Sequence, residues 1–151
     1  MNCALNDLLD ESLVTLELKA SHREAAIWEL AGLLDRAGKL VDIEKYVAAV
    51  MAREALGTTA VGMGVAIPHG KSAAVRTAAV AFGRAPAGVD FGAPDGAPVD
   101  LIFLIAAPEG AHDVHLQALA NLARRLMHDE VRAALRQART SGEVIKALVT
   151  T

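Results

Sequence analysis

The sequence predicts an α/β fold, a layer sandwich in which helices cover a sheet. Three observations carry this. Short segments of strand character are interleaved with segments of helical period, as layered α/β folds require. One strand segment, Leu101–Ala106, is a continuous apolar run, L-I-F-L-I-A, of the kind found in strands buried on both faces. The chain has 151 residues, which suits a single domain, residues 1–151, able to fold without disulfides or a structural metal.

Residues 4–11 have the character of a short helical turn. Val14–Leu18 alternates as V-T-L-E-L, the period of a half-buried strand. Ser21 and Glu24 match a capping box for a helix in which Ile27, Leu30, Ala31 and Leu34 share a face and Gly38 supplies the stop. Asp42 caps a second helix, with Ile43, Val47 and Val50 on its buried stripe and its end near Leu56-Gly57. Residues 58–72, T-T-A-V-G-M-G-V-A-I-P-H-G-K-S, are irregular, with a short strand at Val65–Ile67. Ala78–Gly83 and Leu101–Ala106 are two further strands, the second central; between them Asp95-Gly96 is a hairpin-type turn signal. Beyond Pro108 the chain is helical. Leu116, Leu119, Ala120, Ala123, Leu126 and Met127 form one stripe, with Asp113 as cap. Asp129 and Ser141 cap two more helices, 130–138 and 142–149.

Composition narrows the function classes. Hydrophobic residues make up 53% and aromatics 3%, while alanine supplies roughly a fifth, so the core is built of Ala, Leu, Val and Ile. A formal net charge of −3 without a basic run argues against nucleic acid. One cysteine, Cys3, permits neither an internal disulfide nor a cysteine metal site. No signal-peptide pattern and no apolar run of membrane-spanning length are visible, so a cytoplasmic, non-spanning protein is expected.

The strongest chemical feature is Ile67-Pro68-His69-Gly70. Proline cannot donate to a ladder, so it ends the strand; glycine after the histidine allows unusual backbone angles and leaves room for a partner. His69 is then shown at a strand end, with a pKa suited to nucleophilic or acid–base work. Backbone N–H groups of Gly62, Gly64 and Gly70 can bind an anion near the ring. A nucleophilic histidine that takes a phosphoryl group needs one ring nitrogen held by a hydrogen bond, and cations or donors around the oxygens. Arg53, Thr58, Thr59 and His115 are the candidates; His115 lies in the first turn of a predicted helix, where N–H groups favour an anion. The bland alternatives stand beside these: a turn histidine at 69, a solvated helix charge at 53, a surface or capping residue at 115.

His112, His115 and His69 raise a zinc site, but no E-x-x-H pattern or acidic cluster accompanies them. His22 and His128, beside or within helices amid charged neighbours, are read as solvent-facing. Gly70-Lys71-Ser72 lacks the spacing of a nucleotide-binding P-loop. No cofactor and no metal are therefore expected.

Arg53-Glu54, the segment 58–72, A-F-G-R-A-P-A-G-V-D-F-G-A-P-D-G at 81–96, L-I-F-L-I-A-A-P-E-G-A at 101–111 and H-L-Q-A-L-A at 115–120 together resemble the phosphotransferase-system enzyme IIA domains of the fructose/mannitol class. The wording of the blocks resembles the fructose-type branch most. The resemblance implies a mixed central sheet flanked by helices. It implies that His69 is phosphorylated on Nε2, with Arg53 beside it, His115 as the second active-site histidine and Thr59 lining the site. It implies the phosphocarrier HPr as donor, and as acceptor a cysteine of an enzyme IIB domain that serves a membrane IIC permease. A nitrogen-regulatory IIA, phosphorylated on the same histidine but controlling other proteins, is the alternative; a binding module with an inert His69 is the rival from another class. The sequence departs from the family pattern at Ala60, where glycine is common, and at Met63, where a small polar residue is common.

Overall fold

The computed structural model describes the backbone of residues 5–110 and 112–149 and the side chains of residues 7–110 and 116–149. In chain order the elements are α1 (Leu5–Leu8), a 3-10 turn (Glu11–Leu13), β1 (Val14–Thr15), α2 (Arg23–Arg36), α3 (Ile43–Ala55), β2 (Ala60–Gly62), β3 (Val65–Ala66), β4 (His69–Ser72), β5 (Ala79–Val89), β6 (Val99–Pro108), α4 (His112–Leu126), α5 (Asp129–Gln137) and α6 (Ser141–Val149).

The strands form one mixed sheet in the order β1-β5-β6-β3-β2, with β4 also on β6. The apolar run lies at its centre: β6 pairs antiparallel with β5 and parallel with β3 and β4, and residues 101–107 are buried. Register carries the two faces across the sheet. Gly70 pairs with Ala106 and Gly83 with Ile102, positions an even number apart on β6, so the two glycines share a face. On that face Gly83 lies under Leu30 of α2, and Gly70 under Val50 and Tyr46 of α3. The opposite face carries Phe82 and Phe103, whose rings pack at 4.7 Å between centroids, and Arg84. The Arg84 guanidinium caps α5 by donating to the carbonyls of Leu135, Arg136 and Ala138 at 3.0, 3.0 and 2.7 Å. This is the layered α/β architecture the sequence predicts.

Several local expectations shift, each for a physical reason. The first strand keeps only Val14–Thr15; the chain bends at residues 16–17 before the Leu18 N–H reaches the Arg84 carbonyl at 2.9 Å. The N-cap of α2 is His22 rather than Ser21, its ring Nδ1 accepting from the Ala25 N–H at 3.4 Å. Asp42 caps α3 as expected, accepting from Lys45, and Gly38 takes φ +76° at the end of α2. The covered face of α4 is rotated from the predicted stripe: Leu126 is buried and Leu119 partly buried as expected, but Ala118 and Leu122 complete the buried face, while Leu116 and Met127 are 52% and 72% exposed. Asp129 lies inside α5, paired with Arg132, and Thr140 rather than Ser141 accepts from the Glu143 N–H to cap α6.

Candidate functional site

β3 and β4 are two pieces of one line along β6. Val65 pairs with Leu101 and His69 with Ile105, so both pieces keep the same offset and no residue is inserted between them. The expectation that Pro68 ends the strand is corrected: the ladder is interrupted and then resumes, with His69 as the first residue of β4. In a strand the N–H and C=O of one residue face the same neighbour. Pro68 has no N–H to give, but its carbonyl still accepts from the Ile105 N–H at 3.0 Å. The pleat continues through the break. Val65 and Ile67 are buried, and the same alternation brings the half-buried His69 and the exposed Lys71 toward solvent.

Gly70 does not take unusual backbone angles, contrary to the sequence reading; a positive φ is not among its properties. Its purpose is close approach. A Cβ there would stand 2.8 Å from Val50 Cγ2 and 3.3 Å from Tyr46 Cε1, so glycine lets α3 lie directly on the histidine strand. The Tyr46 ring is fully buried and its hydroxyl donates to the Ile105 carbonyl at 2.8 Å. Burial holds this hydroxyl well above the ordinary tyrosine pKa, so it remains a donor.

The imidazole is oriented by its own strand. His69 Nδ1 lies 2.9 Å from the Ile67 carbonyl. A carbonyl only accepts, so Nδ1 carries a proton, and in the neutral imidazole the lone pair is then on Nε2. The Ile67 N–H is itself held by the Thr59 carbonyl at 3.1 Å.

Arg53 and Glu54 end α3 and hold the following loop. The half-buried Arg53 donates from Nη1 to the Gly57 carbonyl at 2.9 Å. The Glu54 side chain is 2% exposed and pairs with Arg23 at 3.4 Å. Its carboxylate accepts from the Thr59 N–H at 3.3 and 3.4 Å and from the Thr59 hydroxyl. The Thr59 hydroxyl, a sequence candidate for lining the site, thus donates to Glu54. The Thr58 hydroxyl donates to the Phe91 carbonyl. Sequence reasoning missed Glu54 as a participant. The signal was present: position 54 is in phase with Val47 and Val50 on the buried stripe of α3, an acid where the period calls for an apolar residue.

The remaining candidates separate. Gly62, Met63 and Gly64 have φ of +93°, +59° and +76° and form the tight turn between β2 and β3. The turn lies beside Leu101, four register positions or about 13 Å along the strand from His69. The glycines therefore do not converge on the ring as an anion cradle. The turn is anchored by Asp95, which accepts from the Met63 N–H at 3.2 Å. Arg136 also holds it, donating to the Met63 carbonyl at 2.7 Å while gripping Asp100 at 2.8 and 3.0 Å. His115 belongs to the first turn of α4, which opens just beyond the end of β6; its side chain, with those of His112 and Asp113, lies outside the described residues. Cys3 does too.

His69 thus opens an edge strand with Nδ1 held by a main-chain carbonyl, and Arg53 lies in the last turn of the helix that packs on that strand at Gly70. Residues 7–150 match the family described as phosphoenolpyruvate-dependent sugar phosphotransferase system, EIIA 2. The chain belongs to this family, and so is a phosphotransferase component with the mannitol-type IIA fold. It is 41% identical over 141 residues to the fructose-specific EIIABC component of Bacillus subtilis, covering 93% of this chain but only 22% of that protein. It is 40% identical to the fructose-specific EIIA component of Haloferax volcanii, covering 87% of this chain and 86% of the relative. It is also 40% identical to the nitrogen regulatory protein of Bradyrhizobium diazoefficiens, covering 95% and 94%. Among solved structures, the nitrogen regulatory protein IIA-Ntr of Neisseria meningitidis superposes with a TM-score of 0.87 at 36% identity, covering 94% of this chain and 97% of that one. The Escherichia coli complex of enzyme IIA mannitol with phosphorylated enzyme IIB mannitol matches at 0.81 and 29% identity, covering 95% and 98%. Among the described residues, no helix is long and apolar enough to cross a membrane.

Proposed function

We propose that His69 is the phosphoryl acceptor and that the protein carries phosphate from phospho-HPr to a cysteine of an enzyme IIB domain, for uptake of fructose or a related sugar. The observation that carries this reading is the 2.9 Å approach of His69 Nδ1 to the Ile67 carbonyl, which leaves the lone pair on Nε2. In the first step the nitrogen–phosphorus bond of phospho-HPr breaks as one forms to Nε2. In the second, that bond breaks as sulfur–phosphorus forms on the acceptor. The transferring group carries dispersed negative charge, and the Arg53 guanidinium, with the first turn of α4 and His115, supplies the compensating donors. The mannitol IIA–IIB complex supports a IIB domain as partner.

The same chemistry serves a second reading, a nitrogen-regulatory IIA whose phosphohistidine controls other proteins. The nearly full-length likeness to the Bradyrhizobium protein and the Neisseria structure favours it. Incubation with enzyme I, HPr and labelled phosphoenolpyruvate should label the wild-type protein and not His69→Ala. Label that survives the substitution defeats the assignment. Loss of growth on fructose after deletion supports sugar uptake; unaltered growth selects the regulatory reading.

A further inference from the structure

Glu54 is a titratable group that the transfer reaction does not use, in a place that disfavours it. Its carboxylate is almost fully buried in the last turn of α3, where the helix dipole opposes negative charge. Three donors compensate: the Thr59 N–H, the Thr59 hydroxyl and the Arg23 guanidinium. We propose that Glu54 is a positioning residue for His69, acting through Thr59 and Ile67.

The route is short. Glu54 fixes the Thr59 backbone and side chain. The Thr59 carbonyl takes the Ile67 N–H at 3.1 Å, and the Ile67 carbonyl takes the Nδ1–H of His69 at 2.9 Å. With the Ile67 backbone held through its N–H, its carbonyl stays in place for the Nδ1 proton, and Nε2 is the nucleophile. The loop that Glu54 orders is also the one Arg53 binds through the Gly57 carbonyl, so adjacent residues of one helix set both the histidine tautomer and the setting of the arginine. This rests on His69 being the phosphoryl acceptor and adds what selects its attacking nitrogen.

The test compares Glu54→Ala and Glu54→Gln with the wild-type chain. Nitrogen-15 NMR of the His69 ring gives the tautomer ratio, and rapid-quench transfer from phospho-HPr gives the rate. Glu54→Ala should bring the Nε2–H tautomer to a comparable population and slow transfer about tenfold or more. Glu54→Gln keeps an acceptor oxygen for Thr59 and should retain the Nδ1–H tautomer and a rate within about threefold. Val144→Ala, a fully buried site in α6 away from this route, serves as a core-truncation control and should leave both readouts unchanged. A wild-type tautomer ratio in Glu54→Ala, or an equal change in the control, overturns the proposal. Should Glu54→Ala fail to fold, Thr59→Val removes the hydroxyl grip and the same two readouts decide. The tautomer measurement needs no phosphoryl donor, so it judges Glu54 even if wild-type protein takes no label and the acceptor reading falls.

Discussion

The Tyr46 hydroxyl donates to the carbonyl of Ile105, and Ile105 is the residue that faces His69 across the β4–β6 ladder. One buried hydrogen bond thus ties the helix that carries Arg53 to β6, the strand on which the His69 strand is paired. Arg53 follows Tyr46 by seven residues, two turns along the same side of α3.

Tyrosine 46 is the only tyrosine in the chain, so its ionisation can be followed alone. Burial raises its pKa in the folded state, whereas the unfolded chain ionises near the ordinary value of about 10. Its contribution to stability is therefore fully present below about pH 10 and is lost as pH rises toward the folded value. Phenolate absorbance should appear only together with unfolding. Tyr46→Phe should remove that alkaline component and, at neutral pH, lower stability by about 1 kcal/mol in urea titration.

Gly70→Ala should force α3 away from the sheet, because Val50 Cγ2 stands 2.8 Å from the new carbon. The expected loss is about 1–3 kcal/mol, typical of overpacking. Adding Val50→Ala opens space for the methyl, so the double variant should be more stable than the sum of the two single effects. Strict additivity in denaturant unfolding would refute this steric account.

On the proposed role of Arg53 as a cation for the phosphoryl group, Arg53→Ala should slow transfer from phospho-HPr at least about tenfold. Stability should fall by only about 0.5–1 kcal/mol, from the lost bond to the Gly57 carbonyl. Rapid-quench kinetics beside urea unfolding separate the two effects, and unaltered kinetics would remove Arg53 from the site.

The Arg136–Asp100 pair clamps the turn at Met63, and Asp100 raises the Arg136 pKa by hydrogen bonding. Both side chains are partly exposed, so a double-mutant cycle should give a coupling of only about 0.5–1 kcal/mol. Hydrogen exchange should accelerate in the β2–β3 turn of Arg136→Ala, while labelling of His69 stays at the wild-type rate. A fall in labelling would show that the turn communicates with the histidine.

Much of this was legible in the chain because it is local. The apolar run at 101–106 announces a strand buried on both faces, Asp42 announces a helix start, and the separated blocks around His69 announce the family. Caps and phases were less legible. His22 displaces Ser21 as a cap, and the covered face of α4 is rotated so that only part of the predicted stripe is buried, because neighbours in space decide which side of a helix is covered.

By itself the sequence determined the interleaved elements, a core of small aliphatic side chains and the histidine to consider. Each follows from period, turn chemistry or side-chain type, which act within a few residues. Only the tertiary structure decided that Pro68 interrupts a strand without shifting its register, that Gly70 serves close packing, and that Glu54 reaches Thr59 while Tyr46 reaches Ile105. Those relationships depend on register and on helix-to-sheet distance. They arise when α3, β2 and β6 pack together, and no spacing along the chain encodes them directly.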